Sequence, residues 1–432
     1  MKGVTAIPAS ATPSARRSLF GHPPGLTILF LTQMWAEFSY YGLQALLVYY
    51  MTGQLHFSQA KSSLIFGIYG GAAFFSPFFG GMIADKWLGR TRSVVLGGVL
   101  MMLGHFAMAF PALLFPALAC VALGNGLFIP PLAVQVGALY ADGDPRKAHA
   151  FSAYYMGINL GGFLAPLVCG SLGELIGWHW GFTAAGIGMF AGLVIYLGFR
   201  RLLPPDPRTL AVADKAAPPI KIDARAVRLL VAIVGVVILF RIAYEQSGNV
   251  IALWVRDDTD RTLFGLVTIP ATWFQAINSL GIIVLTPLLI RRWSRRKEKA
   301  GAATLMSRMS LGCLIAGVAM LVLVIAAMVQ EGSGHPVSAW WTIIYFVLLT
   351  MGELLVIPVG LTLVDLLSPA GFAATAMGAW YIAKFLGSVL AGVMGSWWGE
   401  IPASAFFGIG AASVFLAAGI LSLMGGLERH RP

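Results

Sequence analysis

Five charged side chains lie inside stretches of this sequence that are otherwise apolar: Glu37, Arg241, Glu245, Glu353 and Lys384. A charge in such surroundings is costly unless it meets an opposite charge, so each residue is a candidate for binding a charged solute or for moving a proton. Arg241 and Glu245 are four residues apart, a spacing that lets them pair on one helix face. Arg241 has an alternative partner in Glu37.

Other chemistries find no support in the sequence. No His-Glu-x-x-His or Gly-x-Ser-x-Gly stretch occurs, which argues against an enzyme. Cys120, Cys169 and Cys313 lie in apolar stretches at spacings that suit neither a disulfide framework nor a metal site, and we expect no cofactor and no metal. His105 is a lone helix histidine, a type that is more often structural than functional.

The composition predicts a membrane protein. The chain has 432 residues, of which 58% are hydrophobic and 11% charged, whereas charged residues supply about a quarter of a soluble domain. Runs of about 20 apolar residues, long enough to cross a bilayer, recur along the whole chain. We predict an all-α fold with twelve transmembrane helices at 25–52, 62–84, 93–110, 112–139, 149–171, 180–199, 227–252, 264–290, 304–329, 339–366, 372–397 and 404–426.

The basic residues predict the topology. Lys and Arg cluster in alternate loops, at 86–92, 146–147, 200–228, 291–299 and 429–431, whereas the opposite loops carry Lys61, Arg256 and Arg261 as their bases. By the positive-inside rule, the basic loops and both termini are cytoplasmic. Topology thus explains the net charge of +11, and we expect no nucleic-acid partner.

Composition also divides the chain into parts. Residues 1–24 have no apolar run, so we read them as a disordered tail and not as a signal peptide. Residues 200–226 are rich in proline and charge and predict a cytoplasmic linker. The linker separates an N-terminal six-helix bundle, 25–199, from a C-terminal one, 227–426, and residues 427–432 form a tail. Two halves around a central site are the plan of a transporter.

A short motif lies between the second and third predicted helices. It reads Gly-Met-Ile-Ala-Asp-Lys-Trp-Leu-Gly-Arg-Thr-Arg over residues 81–92 and resembles the loop signature of the major facilitator superfamily. The matching residues are Gly81, Asp85, Lys86, Gly89, Arg90 and Arg92. Such a loop is a compact turn whose contacts break as two halves rock. The alternative is that the charges mark topology alone.

A second motif is more specific. Residues 151–166, Phe-Ser-Ala-Tyr-Tyr-Met-Gly-Ile-Asn-Leu-Gly-Gly-Phe-Leu-Ala-Pro, resemble the fifth-helix signature of the proton-dependent oligopeptide transporters. Residues 38–42, 244–246 and 352–354 match that family too, so the resemblance covers both halves. It implies a central cavity that binds di- and tripeptides. The ligand residues it implies are Tyr40, Tyr41, Asn159, Asn278 and Glu353, with Tyr69 and Trp380 as cavity aromatics.

These assignments have structural alternatives. Glu353 suits a substrate ammonium group, but a salt bridge between helices, with Lys384 as the partner, is the competing interpretation. Asn159 and Asn278 are also consistent with plain bonding between helices. Tyr69 and Trp380 are also consistent with packing.

The chain departs from the family in its charged residues. The family's first helix reads Glu-x-x-Glu-Arg-Phe-x-Tyr-Tyr-Gly-x-Arg, whereas this chain has Gln33, Ala36, Glu37 and Gln44 at the charged positions. The lysine that the family has in the fourth helix is missing as well. The cationic side of the peptide clamp is therefore lost, and the spans carry three acids against two bases. We expect an atypical member that favours an amine-bearing or cationic substrate over a peptide with a free carboxylate.

The predicted function is secondary active transport of di- and tripeptides or peptide-like amine-bearing solutes by alternating access. We expect coupling to protons through Glu37, Arg241, Glu245, Glu353 and Lys384, and a monomer in the lipid bilayer. The alternatives are an exporter of drugs, polyamines or other cationic metabolites, a facilitator without proton coupling, and a sensor. The chain has no long loop and no Asn-x-Ser/Thr site, which favours a bacterial inner membrane.

Overall fold

The computed structural model describes residues 21–141, 143–206, 224–263, 265–294, 301–368 and 373–429. The predicted N-terminal tail up to residue 20, the linker residues 207–223 and the terminal residues 430–432 lie outside this part. The described residues form fourteen α-helices: α1 Pro24–Tyr49, α2 Gln59–Ile83, α3 Arg90–Ala107, α4 Leu114–Ala138, α5 Arg146–Ala165, α6 Ser171–Leu175, α7 Trp178–Gly198, α8 Ala224–Tyr244, α9 Val250–Asp257, α10 Trp273–Ser294, α11 Ala302–Ser333, α12 Ala339–Leu367, α13 Ala373–Gly395 and α14 Ala403–Arg429.

Irregular turns extend or join several of these helices. π-helical turns continue α1 at Tyr50–Gln54 and α2 at Ala84–Leu88, and another joins α5 to α6 at Pro166–Gly170. Pro166 begins that last turn, where its missing N–H removes a helical hydrogen bond. A 3₁₀ turn at Glu245–Gly248 separates α8 from α9. The predicted seventh span is therefore broken next to one of its charged residues.

Hydropathy and length single out nine helical stretches among the described residues that are long and apolar enough to cross a membrane. α1 and α3 occupy predicted spans but are outside this set, and the apolar part of α10, Trp273–Leu289, is shorter than the others. The protein is an integral membrane protein with an almost entirely helical fold. The count of twelve spans stays a prediction.

The start of the predicted eighth span, residue 264, is wrong. The segment before α10 is extended: β1 Thr259–Asp260 pairs in parallel with β4 Val337–Ser338, and β2 Thr262–Leu263 pairs antiparallel with β3 Val267–Thr268. Gly265 turns the β2–β3 hairpin with a φ of 71°. Apolar residues such as Leu266 and Val267 placed the predicted start before the true helix start, because hydropathy does not distinguish turns and short strands from helix.

The helices pack as two groups. In the first, α1 packs against α5 and α7, and α3 packs against α4; in the second, α11 packs against α12 and α14, and α8 against α13. The most extensive contacts between the groups are those of α2 with α13 and of α5 with α10. Glycine permits a close approach between α2 and α13, since a Cβ on Gly67 of α2 would lie 2.6 Å from the carbonyl oxygen of Ser388 in α13.

Contacts between loops define two ends of the molecule. At the end that we call the basic end, Arg146 bonds the Gly21 carbonyl oxygen at 3.2 Å. Asp206, the last residue described before the linker, accepts hydrogen bonds from the backbone N–H groups of Arg90 and Thr91 at 3.2 and 3.1 Å. This carboxylate caps the N-terminus of α3, where helices leave N–H groups unsatisfied. The other end, which we call the opposite end, holds Thr52, Glu174, Arg256 and the short strands β1 and β4.

Candidate functional site

A central cavity of about 160 Å³ lies between the two groups of helices. Side chains from α1, α2, α8, α10, α12 and α13 and from the turn after α8 line it, and both groups therefore contribute. Its polar and charged side chains include Tyr40, Tyr41, Arg241, Glu245, Asn278, Glu353 and Lys384. Seven of the residues predicted from the sequence thus meet at one place, although they are spread over more than 300 positions of the chain.

Glu353 is held by the neighbouring helix. Asn278 on α10 donates a hydrogen bond to Oε2 of Glu353 at 2.8 Å and another to Oγ1 of Thr350 at 3.1 Å. The alternative salt bridge between Glu353 and Lys384 is not among the ion pairs of the described residues. Asn278 therefore bonds between helices and also fixes a carboxylate at the cavity wall, which leaves that carboxylate oriented to meet a cation.

Arg241 on α8 forms an ion pair with Glu245, which begins the 3₁₀ turn after α8, and not with Glu37. Ser388 on α13 donates a hydrogen bond to Oε1 of Glu245 at 3.2 Å. Arg241 and Glu245 are both about 5% exposed, so this pair is buried. Gly387 makes room for it, because a Cβ there would lie 2.4 Å from the Cβ of Arg241.

Glu37 lies behind the cavity wall. Gln33 donates a hydrogen bond to Oε1 of Glu37 at 2.6 Å, and the hydroxyl of Tyr154 on α5 donates to Oε1 of Gln33 at 2.6 Å. The three residues form a hydrogen-bonded chain between α1 and α5. Glu37, at the position where the family has an arginine, is therefore held by a hydrogen bond from the side-chain amide of Gln33. It is not among the residues that line the central cavity.

Lys384 contacts a residue that sequence analysis did not single out. Its Nζ lies 3.9 Å from the centre of the Phe74 ring, and the guanidinium carbon of Arg241 lies 4.6 Å from the same ring. Phe74 is on α2, whereas both cations are on the second group of helices. A phenylalanine in an apolar helix carries no signal in the sequence, and only the structure reveals this cation–π contact.

The remaining predicted ligands lie elsewhere. Tyr69 stacks on Tyr40 at a ring distance of 6.3 Å and is buried behind it. Trp380 is 3% exposed and packs against Gly360, where a Cβ would lie 2.6 Å from the indole. Asn159 donates to the Tyr155 carbonyl oxygen on its own helix at 2.9 Å. The structure thus gives Tyr69 and Trp380 packing contacts.

Asn159 faces a second, larger cavity of about 750 Å³ between α5 and α10. Its other lining residues include Phe151, Tyr155, Ile282 and Arg291, so it is mostly apolar and lies towards the basic end. Asn159 is one helical turn before Gly162, which lines the central cavity. The two cavities therefore follow one another along α5, with the larger one nearer the basic end.

The opposite end is closed by contacts between the two groups. The carboxylate of Glu174 on α6 accepts hydrogen bonds from the backbone N–H groups of Ala271 and Thr272 at 2.9 and 2.8 Å, just before α10. The indole of Trp273 donates to Oγ of Ser171 at 2.8 Å. The hydroxyl of Tyr49 on α1 donates to the carbonyl oxygen of Ala252 on α9 at 2.9 Å.

The residues of the predicted loop motif lie at the basic end. Asp85 and Lys86 are in the π-helical turn that ends α2, and Gly89 follows with a φ of 75°, which favours glycine. Arg90 begins α3, and its backbone N–H is capped by Asp206 and not by Asp85. Sequence analysis missed Asp206, because a single acid in a proline-rich segment resembles an ordinary solvated charge.

Comparisons with known proteins agree with this architecture. A family model described as Major Facilitator Superfamily matches residues 29–392. The peptide transporter YePEPT of Yersinia enterocolitica subsp. palearctica serotype O:3 (strain YE-P4) is 34% identical, with 88% of each chain covered. A di-/tripeptide transporter of Lactococcus lactis subsp. lactis (strain IL1403) is 31% identical, with 85% of this chain and 88% of the relative covered.

Solved structures give the same picture. A crystal structure of a mutant peptide transporter POT in complex with alafosfalin superposes with a TM-score of 0.86 at 30% identity, covering 95% of this chain and 96% of the other. A crystal structure of peptide transporter POT in complex with sulfate has a TM-score of 0.84 at 29% identity, with the same coverage. The similarity extends over almost the whole chain.

Proposed function

This chain belongs to the major facilitator superfamily, within its family of proton-dependent oligopeptide transporters, and from that premise we propose that it transports di- and tripeptides or peptide-like amine-bearing solutes. The observation that carries the proposal is the carboxylate of Glu353 at the wall of the central cavity, held by Asn278 at 2.8 Å. A substrate ammonium group is a suitable partner for a carboxylate that is oriented and shielded from water. The hydroxyls of Tyr40 and Tyr41 offer hydrogen bonds to a peptide backbone.

Transport by alternating access is consistent with the contacts at the two ends. The Glu174 contacts close the opposite end, whereas the larger cavity between α5 and α10 leads from the central cavity towards the basic end. If the basic loops are cytoplasmic, this conformation faces the cytoplasm. We propose twelve spans in two six-helix bundles, cytoplasmic termini and a location in a bacterial inner membrane.

Proton coupling is the second part of the proposal. Glu245 is buried with Arg241, so a proton on its carboxylate would break the ion pair and free the guanidinium. Glu353 and Lys384 lie in the same cavity, and Glu37 is held by Gln33 next to it. We place Glu245 and Glu37 first as proton carriers, with Arg241, Glu353 and Lys384 as the charges that respond.

The test is uptake of labelled Ala-Ala by proteoliposomes with and without an imposed pH gradient. We expect the gradient to drive accumulation. Glu353→Gln should lower uptake about tenfold or more, the cost of removing one charge from an ammonium contact. Glu400→Gln, which changes an exposed carboxylate at the opposite end, is the matched control and should behave as the unmodified protein.

Each part of the proposal can fail separately. Uptake that ignores the gradient would refute proton coupling but not transport. If neither dipeptides nor dipeptide amides enter the vesicles, the transport proposal itself is wrong.

A further inference from the structure

The ammonium group of Lys384 has an unusual environment. Its Nζ lies 3.9 Å from the centre of the Phe74 ring, and the side chain lines the central cavity. No carboxylate of the described residues lies within ion-pair distance of it. A cation inside a membrane protein is costly unless it is paired, and one aromatic face replaces only part of a full counter-charge. The contact therefore leaves the ammonium group able to bind an anion.

Arg241, the other cation of the cavity, is in a different position. Its guanidinium also lies over Phe74, but it already forms an ion pair with Glu245 in the turn that follows its helix. That acid and that base cancel each other's charge. The charges of the cavity wall that remain are the cation of Lys384 on α13 and the carboxylate of Glu353 on α12. One of each sign suits a zwitterion, which has an ammonium group and a carboxylate.

We propose that Lys384 binds the carboxylate of the substrate, opposite the ammonium contact already proposed for Glu353. The inference rests on the proposed transport function and assigns, in the same cavity, the residue that takes the place of the missing cations. The cationic side of the clamp, lost from α1 and α4, is then rebuilt on the second half of the protein at α13. This replaces the expectation from the first helix that substrates with a free carboxylate are disfavoured, because Glu37 does not line the cavity.

Phe74 has a positioning role in this arrangement. It belongs to α2 of the first half, and it holds two cations of the second half at 3.9 and 4.6 Å. When a substrate carboxylate pairs with Lys384, the ligand joins a contact that already connects the two halves.

The experiment compares Ala-Ala with Ala-Ala-amide, which has the same backbone and ammonium group but no carboxylate. Binding to purified full-length protein is measured by the ligand-dependent rise in apparent Tm and by calorimetry. The variants are Lys384→Gln, which removes the charge, and Lys384→Arg, which keeps it. Lys61→Gln is the matched control, because Lys61 also lies over a phenylalanine ring, Phe57 at 3.7 Å, but is exposed outside the cavity.

We expect the unmodified protein to bind Ala-Ala about tenfold or more tightly than the amide. Lys384→Gln should weaken Ala-Ala binding about 10- to 100-fold, the range for a hydrogen bond to a charged group, and change amide binding less than about threefold. Lys384→Arg should keep the preference for Ala-Ala. Lys61→Gln should match the unmodified protein for both ligands.

Two results would overturn the inference and are distinct from failure of the proposed function. If Lys384→Gln weakens the binding of Ala-Ala and of Ala-Ala-amide equally, the lysine shapes the cavity and does not bind the carboxylate. If the preference for Ala-Ala survives in Lys384→Gln, another group binds the carboxylate. Binding of neither ligand by the unmodified protein would refute the transport proposal together with this inference. The apparent Tm of ligand-free Lys384→Gln shows whether the variant is folded.

Discussion

Glu174 is the residue whose replacement should open the end of the molecule that is closed in this structure. Its two carboxylate oxygens accept hydrogen bonds from two successive backbone N–H groups of the other half, those of Ala271 and Thr272. These groups lie just before α10, where a helix N-terminus favours a negative charge. Glu174→Gln keeps the size of the side chain but turns one acceptor into an amide that faces a donor.

The size of the effect follows from these contacts. A hydrogen bond to a charged group contributes about 1.5–3 kcal/mol, and a charge near a helix N-terminus contributes about 0.3–1 kcal/mol. Glutamine loses one such bond and the charge, so we expect a loss of about 2–4 kcal/mol. This loss applies only to the closed conformation, and it shifts the ratio of closed to open molecules by about 30- to 700-fold.

The assay is a distance measurement by pulsed electron paramagnetic resonance. Spin labels at Gln54→Cys and Leu266→Cys lie on different halves, both at the opposite end and both exposed. In Glu174→Gln the longer distance should gain population. Glu331→Gln is the matched control, since Glu331 also accepts two bonds near a helix N-terminus, at 2.8 Å, but its partner, Ser404, is in the same half.

An unchanged distance distribution in Glu174→Gln would refute this reasoning. An equal shift in Glu331→Gln would refute it too, because loss of any helix cap would then produce the effect.

Two further predictions concern other contacts at the opposite end. Gly67→Val should force α2 and α13 apart, since a Cβ at Gly67 would lie 2.6 Å from the Ser388 carbonyl oxygen. The same pair of spin labels should then report a longer distance. Gly419→Val is the control and should leave the distance unchanged, because a Cβ at Gly419 would meet no atom within 4 Å. Burial, together with the charge of Asp257, raises the pKa of Asp258, so its charged form costs stability above that pKa and the cost disappears as the pH falls below it. Asp258→Asn should therefore raise the apparent Tm at neutral pH but not at acidic pH, and equal shifts at both would contradict the assignment.

The sequence predicted the parts of the site that carry an intrinsic signal. A charge in an apolar helix is conspicuous, and for that reason Arg241, Glu245, Glu353 and Lys384 were all identified before the structure placed them around one cavity. Long apolar runs are equally conspicuous, so hydropathy predicts where the long helices lie. The start of the eighth span was wrong because two short strands there contain apolar residues.

The missed features depend on partners that leave no mark in a sequence. Phe74 looks like any apolar helix residue until two cations of the other half lie over its ring. Glu174 bonds backbone N–H groups, which every residue except proline has. The position of Glu37 behind the wall depends on how α1 rotates against α5, and its helical spacing alone does not determine that rotation.

The cap that Asp206 forms on α3 affects how the two halves are tethered. It fastens the chain to the first half at the loop between α2 and α3, immediately before the connecting segment begins. Residues 207–223 remain before α8 starts, and a chain of that length has a maximum reach of about 60 Å. Asp206 thus fixes the point at which this tether leaves the first half, and contacts such as those of Glu174 hold the two halves together at the opposite end.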